Sequence, residues 1–166
     1  MKPTRIAIAA ALGGAAVFGI VWFQPQKLFI EKTVNEAAPT VAPSSSDSPA
    51  AAPVEVASGR FRSLEHRTSG RALLVRLANG SHVLRFEGLD TSNGPDLRVY
   101  LSKRPATLGW HDYGVEYVEL GHLKGNRGDQ NYAVPRGIDV TAFRSAVIWC
   151  VRFEVGFGVA PLTPSA

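Results

Sequence analysis

One cysteine, Cys150, and four histidines carry most of the redox or ligand chemistry available to this 166-residue chain. With a single thiol, no internal disulfide, Cys-based metal cluster or Cys-x-x-Cys couple can form. What a lone thiol can form is a mixed disulfide, a sulfenic acid or a disulfide-linked dimer. Cys150 is therefore the candidate redox thiol. Arg152, two residues further along the same strand face, is the candidate stabiliser of its thiolate. Same-face neighbours on a strand lie about 7 Å apart, so the expected effect is modest.

No cofactor is marked by a motif. Haem ligation would have to draw on His66, His82, His111, His122 or Cys150, because Met1 is the only methionine. No metal site is called from the spacing. The chain lacks a Gly-x-Ser-x-Gly elbow, and a Cys–His nucleophile pair has no local signature.

The element that must position Cys150 runs from Val147 to Phe157. Its odd positions, Val147, Trp149, Val151, Phe153, Val155 and Phe157, are all large and apolar. Period two predicts one strand whose odd face holds the core together. Cys150 is then expected on the opposite face, with Ile148 and Arg152.

The preceding domain reads as all-β. Arg71–Leu77 and Ser81–Phe86 flank Asn79-Gly80, a pair suited to a tight hairpin turn. Leu97–Leu101 alternates as a strand, and Tyr117–Leu123 is another. Lys124 to Tyr132 is rich in Gly, Asn and Asp and reads as a turn. Asp139–Arg144 is a short helical turn or a link. About eight short strands at intervals of roughly ten residues predict an antiparallel β-sandwich, with a closed barrel as the alternative.

The N-terminal third has a different composition. Met1–Arg5 reads as a cytoplasmic tail. Ile6–Phe23 is uncharged and, as a helix, spans about 27 Å, which suits an uncleaved transmembrane signal anchor. Ala10 with Gly14 and Ala15 with Gly19 give it small-residue spacing compatible with dimerisation. Residues 24–57 form a juxtamembrane segment and a Pro/Ala/Ser-rich linker. The linker from Ala37 to Ala57 would be disordered, with a reach of up to about 65 Å in polyproline geometry. The domain would occupy residues 58–162, outside the cytoplasm, ending in a 163–166 tail.

The net charge of +4 comes from dispersed basic residues alternating with acids. With no basic stripe, nucleic acid is not an expected partner. Asp90, Asn93 and Asp96 do not follow calcium-loop spacing and are read as turn formers. Asn79-Gly80-Ser81 matches a glycosylation acceptor, but the hairpin turn explains both of its first residues. Arg127-Gly128-Asp129 is the adhesion tripeptide, set in a loop that nothing in the sequence fixes.

Four blocks resemble the DM-thirteen family, the electron-transfer domain found also in Skeletor-type proteins. They are Gly59-Arg-Phe61 with His66 and Ser69-Gly70; Asn93 to Ser102; Leu120 to Tyr132; and Val147 to Phe153 with Phe157-Gly158. The resemblance implies an extracytoplasmic β-sandwich with a redox cysteine, a position only Cys150 can fill. The span and linker resemble those of membrane-anchored bacterial members. In animals the domain accompanies DOMON and cytochrome-b-type modules. Neither is in this sequence, so a separate redox partner or cell-surface protein is implied, with dimerisation through the span or Cys150 as a further option. A surface binding or adhesion module with a purely structural cysteine is the rival reading, since fold does not determine function.

Overall fold

The structure is a computed structural model that describes residues 31–40 and 52–165. Among these residues there are eleven strands: β1 (Thr33–Asn35), β2 (Val54–Arg60), β3 (Arg62–Ser63), β4 (Thr68–Arg76), β5 (His82–Thr91), β6 (Leu97–Ser102), β7 (Tyr117–His122), β8 (Arg127–Ala133), β9 (Ser145–Cys150), β10 (Val155–Pro161) and β11 (Thr163–Pro164). They form two sheets, ordered β1-β8-β5-β4-β2-β11 and β3-β10-β9-β6-β7. Neighbours pair antiparallel except β1 and β8, which are parallel. The expected sandwich is therefore found, but it is not wholly antiparallel.

Local chemistry sets the turns. At the β4–β5 hairpin Gly80 takes φ +77°, and the Asn79 side-chain carbonyl accepts from Ser81 N at 3.0 Å and Ser81 Oγ at 2.7 Å. Asp139 caps a 3-10 turn at Val140–Ala142 by accepting from Thr141 N at 3.0 Å.

The main core lies between the sheets. Ala72, Leu74, Leu84 and Phe86 of one sheet meet Leu97, Val99, Leu101, Ala146, Ile148 and Phe157 of the other. Burying each large side chain contributes about 1.5–3 kcal/mol, before the entropic cost of ordering it. A second apolar layer, made of Tyr100, Tyr113, Val147, Trp149 and Val159, covers the outer face of the smaller sheet. Strand β9 is thus buried on both faces.

Three expectations change. The run from Val147 to Phe157 is a hairpin: β9 ends at Cys150, a turn occupies 151–154, and β10 begins at Val155. Val151 and Phe153, expected in the core, are exposed in that turn. Period two cannot reveal a turn built from apolar residues, because the alternation runs straight through it.

The polar stretch after Lys124 is also not all turn, since Arg127–Ala133 is strand β8 between β1 and β5. Its polar residues are satisfied by particular partners. Asp129 Oδ2 accepts from Arg85 Nη2 at 2.9 Å, and the buried Gln130 bonds both Gly125 N and Gly125 O.

Residues 33–35 and 54–57 are strands where sequence composition pointed to juxtamembrane segment and linker. Strand β1 docks because β8 leaves it room. A Cβ at Gly125 would lie 2.4 Å from Lys32 O, and one at Gly128, where φ is +91°, would lie 2.2 Å from Val34 O. Glu36 then locks the end of β1, its carboxylate accepting from Lys124 Nζ at 2.7 Å and Asn131 N at 2.7 Å. The Pro/Ala/Ser-rich stretch therefore connects two strands of one sheet. Ile6–Phe23, the Met1–Arg5 tail and residues 41–51 lie outside the described residues. Among the described residues no helix is long and apolar enough to cross a membrane.

Candidate functional site

Cys150 is the last residue of β9, opposite Leu97 of β6 and Val155 of β10. Its side chain points into the core between the sheets and has no exposed surface. It does face away from Trp149, as expected from period two. The layers are exchanged, however: the cysteine face is the sandwich interior, and the tryptophan face is the outer layer. Alternation says which residues share a face, and only the second sheet decides which face is inside.

The sulfur sits where the chain changes direction. Val151 N donates to Asp96 O at 3.0 Å, tying the β9–β10 turn to the loop before β6. Burial pushes the Cys150 thiol up. Backbone N–H groups of Phe153, Arg152 and Asp96 pull it back toward the thiolate, while the Asp96 carboxylate raises it further. Burial prevails, and the thiol is raised. Arg152, expected on the strand face of Cys150, lies instead in the 151–154 turn.

Asp96 joins this setting to the surface. Its Oδ1 accepts from Arg98 Nε at 2.7 Å and lies 3.5 Å from His122 Nδ1. Beside it opens a cleft of about 260 Å³, bounded by residues 93–97, by 122–126 and by Lys32. The cleft is smaller than the roughly 300–1,000 Å³ of most small-molecule sites.

The histidines do not assemble around the thiol as a ligand set. His66 lies against Phe157, ring centroids 3.8 Å apart, and burial lowers its pKa. His111 Nδ1 donates to Glu154 O at 3.0 Å. His122 stands by Asp96, and His82 begins β5. Among the described residues no group of three or more His, Cys, Asp or Glu side chains is placed to hold a metal.

The adhesion tripeptide is not a presented loop. Arg127 pairs with Glu31 and Asp90, and Asp129 pairs with Arg85. Sequence reasoning missed the Asp96 amide and the stacking of Tyr117, Tyr100 and Trp149 on the outer face. The aromatic types were visible. Their approach depends on cross-strand register between β6 and β7, which no local pattern fixes.

A family model described as Electron transfer DM13 matches residues 60–162. No curated protein and no solved structure matches the chain.

Proposed function

The chain belongs to the electron transfer DM13 family, and from that premise we propose that it is a membrane-anchored redox module whose reactive group is the Cys150 thiol. The observation that supports this assignment is the electron-transfer family match over residues 60–162, which contains the one thiol of the chain, Cys150. The thiolate is the form that attacks disulfides, and burial disfavours it while the sulfur is enclosed.

Because the sulfur is enclosed, reaction requires the 151–154 turn to move. Glu154 holds this turn at φ +54°, and Val151 and Phe153 are exposed on it. Once the sulfur is uncovered, the thiolate attacks one sulfur of a partner's disulfide. A mixed disulfide forms, and the partner's other sulfur leaves as thiolate.

The apolar run Ile6–Phe23 supports a membrane anchor, and the family resemblance supports placing the domain outside the cytoplasm. With β1 docked on β8, only residues 24–32 separate that run from the folded sheet. At full extension this is about 30 Å, well short of the reach of a free stalk. The redox partner would therefore work near the bilayer surface and would be a separate redox protein or cell-surface protein.

One observation favours the rival binding module: Cys150 is wholly buried, as structural cysteines commonly are. Trapping mixed disulfides in intact cells, with Cys150→Ser as control, decides between them. The redox reading expects an adduct that the variant lacks. If wild type forms no adduct under oxidising or reducing conditions, the binding module stands.

A further inference from the structure

We propose that the outer face of the smaller sheet carries a carbohydrate site, a cleft suited to an oligosaccharide of N-acetylated hexosamines. The site is separate from Cys150 and does not depend on redox chemistry there.

Strand register brings three aromatic residues into one row. Tyr117 lies opposite Ser102 across β6 and β7, while Tyr100 lies opposite Val147 and Trp149 opposite Arg98 across β6 and β9. Each aromatic residue is thus a diagonal, same-face neighbour of the next, within the reach of long side chains. The Tyr117 ring lies flat on Tyr100, centroids 3.9 Å apart and planes within 7°, and Trp149 follows Tyr100 at 6.2 Å and 26°. Tyr100 and Trp149 are nearly buried, whereas Tyr117, on edge strand β7, is 39% exposed. Tyr117 is therefore a solvent-facing ring held from behind by Tyr100. A ring held in this way loses little freedom when a ligand meets it.

The cleft that these rings border has a volume of about 490 Å³. That is within the roughly 300–1,000 Å³ of small-molecule sites. Its rim offers both donors and acceptors. Arg104 Nε is buried there with no hydrogen-bond partner among the described residues, a donor in want of an acceptor. His111 Nδ1 donates to Glu154 O, which leaves Nε2 as an acceptor. The Asp112 and Glu154 carboxylates add further acceptors. Val115 and Val151, both exposed, contribute apolar surface to the same cleft.

These groups select among ligands. The C–H bonds on one face of a pyranose ring are an electropositive partner for the negative face of Tyr117. Sugar hydroxyls both donate and accept, which the mixed rim requires. An N-acetyl group adds an amide N–H for a carboxylate, a carbonyl oxygen for Arg104 Nε and a methyl for Val115 and Val151. Two carboxylates, against one guanidinium already paired with Glu116, disfavour uronic, sulfated or phosphorylated sugars. A proline-rich peptide also packs on aromatic rings, but its prolines bring no N–H donors for Glu154, Asp112 and His111.

The test is isothermal titration calorimetry of the full chain in a detergent without sugar headgroups. The probes are oligomers of N-acetylglucosamine and of N-acetylgalactosamine, cellotetraose, an oligogalacturonate and decaproline. Wild type should bind at least one N-acetylated oligomer, and should bind the other probes about tenfold more weakly or not at all, because Arg104 Nε and the valines then lack partners. Tyr117→Ala should weaken binding roughly tenfold, and Tyr117→Phe, which keeps the ring, should stay within about threefold of wild type. Val115→Asp, at an exposed loop position outside the core, should abolish binding. Urea midpoints check that each variant folds. Failure of wild type to bind either N-acetylated oligomer overturns the proposal, as does equal or tighter binding of cellotetraose, the oligogalacturonate or decaproline. Binding unchanged in both Tyr117→Ala and Val115→Asp overturns it too, by placing the ligand elsewhere on the protein.

Discussion

Cys150 and Trp149 are consecutive in β9, yet their side chains enter different layers, the thiol between the two sheets and the indole on the outer face beside Tyr113. Any chemistry at the thiol is therefore tied to the integrity of the main core. Any chemistry at the indole is tied to the outer layer alone.

Replacing Cys150 by Ala should destabilise the domain by about 1–3 kcal/mol, through packing lost at a fully buried core position. Urea denaturation at neutral pH measures this. An effect within error of zero would mean that the sulfur is not held as described.

The same pair of proteins should differ in pH dependence. Burial raises the folded Cys150 thiol above its ordinary pKa. The folded state then holds the proton more tightly than the unfolded state, so stability falls as pH rises through the unfolded thiol's range. The contribution is complete below that range and is lost above about pH 9. Subtracting the Cys150→Ala profile from wild type isolates it from Tyr100, Tyr113 and Tyr132, which shift in the same direction. A flat difference profile would contradict the burial argument.

Strand β1 should detach when its cradle is filled. In Gly128→Ala the new methyl meets Val34 O and the residue must adopt positive φ, at a cost of roughly 1–2 kcal/mol. Hydrogen exchange at the Glu36 amide, which donates to Asp129 O at 2.9 Å, should accelerate while the β4–β5 ladder stays protected. Acid should act similarly. The Lys124 ammonium holds the Glu36 carboxyl below its usual pKa, so its stabilisation is present at neutral pH and fades below about pH 4.5. Because Glu36 is partly exposed, the effect is on the order of 1 kcal/mol or less.

Arg85 should be irreplaceable by Lys. Its buried guanidinium donates to Glu87, Asp129, Asn131 and the Glu36 and Ala37 carbonyls. A single ammonium cannot reproduce that fork. Arg85→Lys should lose about 2–3 kcal/mol, read as a lower urea midpoint. Retention of wild-type stability would show that the fork is not needed.

The fold class was legible because the hairpins carry their own signals: Asn79-Gly80 between β4 and β5, and strict alternation through Leu97, Val99 and Leu101. The 151–154 turn was hidden because Val151 and Phe153 keep the apolar period while lying on the surface. Strand β8 was hidden for the opposite reason. Its Arg, Asp, Gln and Asn are strand residues only because Arg85, Glu36 and Gly125 satisfy them from elsewhere in the chain. At the candidate site the identity of Cys150 was plain from its being the only thiol. Its enclosure depends on the second sheet and on the Asp96 loop, more than fifty residues earlier, to which Val151 N is bonded and which no local pattern connects to it.

The central claim is that Cys150 changes redox state in the native protein, and the most direct measurement is differential thiol alkylation of the full chain in intact cells shifted between reducing and oxidising conditions. The account predicts a fraction of Cys150 that is blocked under oxidising conditions and recovered by thiol reductant. Cys150 found fully reduced under every condition, and alkylated only after denaturation, would contradict it.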